Sequence, residues 1–155
     1  MKKIIIILVI FFLDRLSKIY ILNLEISGVT IDFYINPFLN FYLVWNSGIG
    51  FGLLSFDQSV MYNVMTILII FVNLLIVYLI IKSKDKTAYF FLIILGGSLG
   101  NLFDRIYYSA VPDFIDISYK GYHWFVFNVA DIFITVGIMC LILVELFFNK
   151  HELND

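Results

Sequence analysis

Apolar residues fall into four long blocks, at residues 4–22, 60–81, 88–106 and 128–148. A helix that crosses a bilayer needs about 20 predominantly apolar residues, and each block supplies that length. Two sizeable segments, 23–59 and 107–127, and a tight loop at 82–87 lie between them. The segments read as strand-formers: 31–45 (IDFYINPFLNFYLVW) is rich in aromatic and β-branched residues and broken by Pro37, and 110–127 has the same texture. The pattern predicts a single membrane domain over residues 1–155, with an all-α core of four transmembrane helices. The two strand-forming segments are expected to make a small amphipathic sheet against one leaflet, with Trp45 and Trp124 near the headgroups.

Composition agrees with this reading. The chain is 62% hydrophobic and 14% charged, with a mean hydropathy of +0.98, whereas soluble domains are roughly 45–50% apolar and about 25% charged. A net charge of -2 leaves no basic excess for a nucleic-acid partner, and 19% aromatic residues exclude disorder. The lone Cys140 forms no internal disulfide, and two histidines with one cysteine build no zinc site alone, so neither metal nor other cofactor is expected.

Lys2 and Lys3 followed by an apolar run resemble the start of a signal peptide, but the run ends in Asp14 and Arg15 with no small-residue cleavage site. A retained first helix is expected instead. Lys and Arg favour cytoplasmic ends. With the N-terminus inside, Lys2, Lys3, Lys82, Lys84, Lys86 and Lys150 are cytoplasmic, and the external loops hold only Lys120. Both termini are therefore expected inside, with both strand-forming segments outside.

Ionisable groups within spans are costly and usually functional, and here they converge at one depth. At about 1.5 Å per residue, Asp14 and Lys18 run from mid-membrane to the outer third. Asn101, Asp104 and Arg105 fall at the outer end of the third span, Asn128 and Asp131 at the outer start of the fourth, and Asp113 just beyond the third. Asp14 with Lys18, Asn101 with Asp104 and Arg105, and Asn128 with Asp131 each share a helix face. Lipid offers such groups no partners, so these faces should point inward.

Plainer readings compete for several of these residues. Asp14 and Lys18 make a self-neutralising intrahelical pair, Asp104 and Arg105 suit an interhelical clamp, and Gly96 and Gly100 form a packing step. Asp116 reads as a solvated loop carboxylate, His123 as an interfacial side chain and Cys140 as a small buried hydrophobe. Ser17 and Lys18 are adjacent and do not face each other, which argues against a Ser–Lys dyad. The glycines of NSGIGFG (46–52) lack the strand-turn-helix context of a dinucleotide loop.

Asp113 and Asp131 have no neighbouring cation in sequence. Two carboxyl groups in a low-dielectric site cannot both ionise readily, so one keeps a proton, the arrangement of aspartic proteases. Spacing permits these two to meet without requiring it. A metal-dependent lipid phosphoryl transferase would also use several aspartates at a membrane face, but its DG-x-x-A-R type of motif is absent. An ion-coupled transporter would bury Asp14 and Lys18 along a pathway, and a small chain without inverted repeats argues against it.

The blocks DRLSK (14–18), NSGIGF (46–51), GGSLGNLFDR (96–105), VPDFID (111–116) and FNVAD (127–131) resemble, in order, the signature blocks of the lipoprotein signal peptidases, the signal peptidase II family. Departures are mild: Ser17 where Thr is frequent, Ser98 where Ala is frequent and Gly50 where Ala is common. The resemblance implies an intramembrane aspartic endopeptidase of the bacterial cytoplasmic (inner) membrane, its site toward the outer leaflet. Its substrates would be diacylglyceryl-modified prolipoproteins, cut just before the lipidated cysteine. It implies an extracytoplasmic β-sheet cradle, a mobile external segment over the site, and a monomer that meets only membrane lipid and substrate. Asp113 and Asp131 become the catalytic pair, and Asp14, Lys18, Asn46, Asn101, Asp104, Arg105 and Asn128 the residues that bind substrate or support the dyad. Within that set, Arg105 and Asn46 are expected to hydrogen-bond substrate carbonyls or lipid esters, and Asn128 and Lys18 to orient the two aspartates.

Overall fold

A computed structural model describes residues 2–48, 58–83 and 86–148. Gly50, Gly52, Lys84, Lys150 and His151 lie outside these residues. The element order is α1 (Lys2–Ile26), β1 (Asp32–Asn36), β2 (Leu39–Asn46), α2 (Gln58–Lys82), α3 (Thr87–Tyr108), β3 (Val111–Tyr119), β4 (Tyr122–Phe127) and α4 (Val129–Phe148). Each helix contains, or starts within a residue of, one of the four apolar blocks. The ends of α1 and α3 extend a few residues further, as helix boundaries commonly do.

Three helices are long and apolar enough to cross a membrane by length and composition: Val60–Lys82, Thr87–Tyr108 and Val129–Phe147. The exception, α1, carries Asp14, Arg15 and Lys18, all buried, at 0%, 5% and 0% exposure. Its outer surface is apolar, with Leu8, Val9, Phe12, Leu13, Leu16 and Ile19 exposed. The charges that weaken α1 as a span are turned inward, which is what lipid contact demands. The protein is a mostly helical membrane protein with a small antiparallel sheet.

At the centre of the bundle, α3 packs on α1, α2 and α4. Glycines set these distances. A Cβ on Gly96 would lie 2.9 Å from Ile10 Cβ, and one on Gly97 would lie 2.6 Å from the Ala130 carbonyl oxygen of α4. One turn on, a Cβ on Gly100 would collide with the Asp14 carboxylate. The packing step expected at Gly96 and Gly100 is therefore real, and its second half rests on an ionisable side chain.

The four strands form one antiparallel sheet in the order β1-β2-β3-β4. Because it joins the segment after α1 to the segment after α3, both strand-forming segments lie at the same end of the bundle. Each hairpin has a two-residue turn. Phe38 N–H donates to Asn36 Oδ1 (2.9 Å) at the first, and Lys120 and Gly121 take φ of 50° and 80° at the second, the mirror-image turn that suits strand twist. Ile21, Ile31 and Phe114 seat the sheet on the end of α1, with Val129 of α4 packed alongside.

Two register shifts decide which way side chains face. Between Phe41 and Val44 of β2, two residues oppose the single Phe114 of β3. Between Asp116 and Ser118, the single Ile117 of β3 opposes Trp124 and Phe125 of β4. An extra residue flips the alternation beyond it. Asn46 thus shares a face with Val111 and Asp113, whereas Asn40, the same parity along β2, pairs with Asp116 on the other face. Likewise His123 pairs with Ser118, on the Asp116 face.

Candidate active site

Three strands and three helices deliver the polar residues to one place. Asp113, on β3, is 3% exposed. Its Oδ2 accepts from Asn46 Nδ2 (2.9 Å) at the end of β2, and its Oδ1 from Asn128 Nδ2 (2.6 Å), just past β4. Asn46 is in turn anchored by Gly48 N–H, which donates to its Oδ1 at 2.7 Å. Burial holds the Asp113 carboxyl above the usual carboxylate range, and the Asp131 charge pushes the same way. The Asn128 and Asn46 amides and the Lys18 ammonium pull it back.

Asp131 is the third residue of α4, and Asn128 is the residue before that helix. Asn128 N–H donates to Asp131 Oδ2 (3.1 Å), and Asp131 N–H donates to Asn128 Oδ1 (3.2 Å). This reciprocal pair is a capping box, and it satisfies two helix-end groups at once. Through its backbone and its side chain, Asn128 therefore holds both carboxylates. Asp131 Oδ1 accepts from Asn101 Nδ2 of α3 (2.8 Å).

Behind Asn101 stands a buried ionic network. Lys18 Nζ donates to Asn101 Oδ1 (2.8 Å), Asp14 Oδ2 (2.9 Å) and Asp104 Oδ2 (2.7 Å), which uses all three ammonium protons. Arg15 Nη1 bonds the other Asp104 oxygen, and Ala130 N–H of α4 donates to Asp14 Oδ1 at 3.0 Å. Two cations and two carboxylates cancel, and the network ties α1, α3 and α4 together under the Asp113–Asp131 pair.

The expected residues thus come together, in roles that the sequence resolved unevenly. Lys18 touches neither Asp113 nor Asp131 and reaches Asp131 only through Asn101. The amide of Asn46 is engaged by Asp113. Asp104 and Arg105 separate: Asp104 is the clamp, while Arg105 is half-buried and lies against Gly48, with its Nε and Nη1 unpaired among the described residues. Its carbonyl is held by Tyr62 Oη of α2 and by Ser109 N–H (3.2 Å).

Two plainer readings need correction, those of Asp116 and Cys140. Asp116 is no solvated loop group: it sits on β3 at 4% exposure, where Asn40 Nδ2 (3.1 Å) and His123 Nδ1 (2.8 Å) donate to its Oδ2. His123 itself is largely exposed, and the register shift turns it toward Asp116. Cys140 is half-buried rather than buried. Sequence reasoning passed over Arg15, although a third ionisable residue in one span is itself a signal. The capping box was legible as Asn-x-x-Asp before an apolar run, whereas the Ala130 amide had no signal at all.

An open groove of about 430 Å³ runs beside Asp131, lined by Ile117, Trp124, Phe125, Phe127, Ile132 and Val136 among others. Among the described residues, no three His, Cys, Asp or Glu side chains are grouped as metal ligands. Chemically, the site offers one carboxyl biased toward its neutral form beside another that accepts two N–H bonds, with an apolar groove alongside.

A sequence model of the Signal peptidase (SPase) II family matches residues 6–148. The chain belongs to the lipoprotein signal peptidase (signal peptidase II) family. A lipoprotein signal peptidase of Pelagibacter ubique (strain HTCC1062) is 55% identical over 153 residues, covering 99% of this chain and 92% of that protein. Another, from Aquifex aeolicus (strain VF5), is 36% identical over 148 residues, 94% of this chain and 86% of that one. A solved bacterial membrane enzyme, determined in meso at 2.3 Å, superposes with a TM-score of 0.75 at 27% identity, over 99% of this chain and 93% of its own. A second, at 1.9 Å, gives 0.74 at 29% identity over 96% and 94%. As a signal peptidase II family member with this fold, the protein is a hydrolase of the intramembrane peptidase kind.

Proposed function

We propose that the protein is an aspartic endopeptidase that removes the signal peptide from diacylglyceryl-modified prolipoproteins, cutting just before the lipidated cysteine. The observation that carries this reading is the shared grip of Asn128 on Asp113 and Asp131. Asp113, more deeply buried, keeps the proton and donates it to the scissile carbonyl oxygen. Asp131, which accepts N–H bonds from Asn101 and Asn128, takes a proton from the attacking water. The water oxygen bonds the carbonyl carbon. The tetrahedral intermediate then collapses with loss of the C–N bond as the proton on Asp131 passes to the leaving nitrogen and one hydroxyl of the intermediate returns its proton to Asp113, re-forming the carbonyl.

The groove beside Asp131 suits an apolar segment arriving laterally from the membrane. Arg105, with donors unpaired among the described residues, binds substrate carbonyl or ester oxygens. Asn46, Asn101 and Asn128 position the dyad, backed by Asp14, Lys18 and Asp104. The protein acts as a monomer in the bacterial inner membrane, its single domain facing the outer leaflet with the site and the cytoplasm with both termini. Lys82 and Lys86 sit at the bundle end opposite the sheet, in keeping with that orientation.

The test is incubation of purified protein with a diacylglyceryl-modified precursor peptide, with and without EDTA, read by mass shift. Cleavage before the modified cysteine is expected in both arms, and none with Asp113→Asn or Asp131→Asn. Normal processing by either variant would sink the dyad, and loss of activity in EDTA would favour metal chemistry.

A further inference from the structure

The face of the sheet turned away from Asp113 carries a second polar cluster that the proteolytic chemistry does not use. Asp116 Oδ2 accepts from Asn40 Nδ2 (3.1 Å) and from His123 Nδ1 (2.8 Å), and Asn40 Nδ2 also reaches Ser118 Oγ at 3.2 Å. Asp116 is 4% exposed and Ser118 9%. A carboxylate only accepts, so the His123 Nδ1 carries the hydrogen. Asp32, Tyr42 and Val126 complete the walls of a cavity of about 370 Å³ over this cluster.

Asn40, Asp116 and His123 come from β2, β3 and β4, one from each across the sheet. The same three strands deliver the clamp on the opposite face: Asn46 ends β2, Asp113 lies on β3 and Asn128 follows β4. A register shift separates Asn40 from Asn46, and another separates His123 from Val126, the β4 partner of Asp116. Each shift leaves an extra residue unpaired and disrupts the ladder locally between the cluster and the clamp. The His123–Asp116 bond spans the β4 interruption by side chains, and Asn40 meets Asp116 at the paired position next to the β2 interruption.

We propose that Asn40, Asp116 and His123 form a cross-strand belt that positions Asp113 by locking the register that brings Asn46 and Asn128 to its two oxygens. None of the three touches the reacting atoms; they act through the strands. This inference rests on the peptidase reading, since it assigns the belt an effect on that reaction.

The groups facing Asp113 define the diagnostic signal. Asp131 faces it from α4 and Lys18 from α1, and the amides of Asn46 and Asn128 bond it. The amides favour its ionised form against burial. Loosening them therefore keeps the proton on Asp113 to a higher pH, and the alkaline limb of kcat/KM moves upward.

Purified wild type, Asn46→Ala, Asp116→Asn, His123→Ala, His123→Asn and Asp32→Asn are assayed on the diacylglyceryl-modified peptide across pH. Asp116→Asn replaces the charged acceptor of Asn40 and His123 by a neutral amide oxygen, which weakens both bonds; it is expected to lower kcat about tenfold, less than the roughly hundredfold cost of a 1 Å misplacement. Its KM should stay near wild type, and its alkaline limb should move in the same direction as that of Asn46→Ala. His123→Ala should show the same changes at smaller size, and His123→Asn, which keeps a donor at the Nδ1 position, should reverse them. Asp32→Asn removes a charge from the same cavity and should leave both readouts unchanged. His123 is exposed, so its variants report even if Asp116→Asn fails to fold. Wild-type kcat in His123→Ala, or a lower kcat with an unmoved alkaline limb, overturns the belt while leaving the peptidase reading intact. A wild type inactive on the peptide overturns the peptidase reading and this inference with it.

Discussion

Asn128 and Asp131 bond each other twice across the first turn of α4, N–H to Oδ2 at 3.1 Å and N–H to Oδ1 at 3.2 Å. The capping that starts the helix is thus the same set of bonds that aims Asp131. Because the remaining amide of Asn128 goes to Asp113, helix initiation and dyad geometry share one residue.

Asn128→Ala should therefore cost both. Loss of an N-cap lowers stability by about 1 kcal/mol, seen as a modest fall in melting temperature in detergent. Misplacing two reacting groups at once should lower kcat about hundredfold, measured on the lipidated peptide. A variant that melts early but turns over normally would confine Asn128 to capping.

The pH profile follows from the direction of the Asp113 shift. Burial makes its charge costly, so the neutral form persists above the ordinary carboxylate range. Activity needs one proton shared by the pair. It should fall as pH rises and the proton on Asp113 is lost, at a pH above the ordinary carboxylate range, and rates measured across pH should show that alkaline limb.

Lys18 bears on stability more than on chemistry. Lys18→Met leaves Asp14 without a cation and Asp104 with Arg15 alone in a buried site, and breaking a buried ion pair typically costs about 3–5 kcal/mol. The expected result is a large drop in thermal stability. Adding Asp14→Asn, which removes one stranded charge, should recover part of it. Equal melting of the single variant and wild type would mean the network is solvated.

Gly100→Ala tests the closest helix approach. Its Cβ meets the Asp14 carboxylate, so α1 and α3 must part or Asp14 must turn away from Lys18 and Ala130. Activity and melting temperature should both fall, whereas Gly121→Ala, whose Cβ meets nothing within 4 Å, should cost only its strained turn, φ +80°.

How much of this was legible beforehand differed by element. Length and apolarity defined the helices, because a bilayer sets one scale for all of them. The convergence of Asp14, Lys18, Asn101, Asp104, Asn128 and Asp131 followed from depth and helical spacing, since every one lies on or just before a helix of known rise. The roles within the cluster did not follow. Whether Lys18 meets Asp131 or Asn101 depends on rotation between helices, which spacing along one chain leaves open. Asp116 was misread for another reason: β3 alternates normally, but the facing of the partners that cover Asp116, Asn40 and His123, depends on register shifts in β2 and β4. Neither bulge, at Tyr42 and Leu43 or at Trp124 and Phe125, has a glycine or proline to announce it.

The β2 bulge also bears on how this protein can change length. Asn40 and Asn46 serve opposite sides of the sheet because two residues face one between them. Deleting either Tyr42 or Leu43 would restore simple alternation and force one asparagine to the wrong side. Point substitutions there exchange only a side chain, whereas a one-residue deletion reassigns every position beyond it. Insertions and deletions in homologous chains should therefore cluster in the connection between β2 and α2 or at the hairpin tips, and spare residues 40–46. A library of single-residue deletions across β2, scored for processing of a lipoprotein precursor, would map that boundary directly.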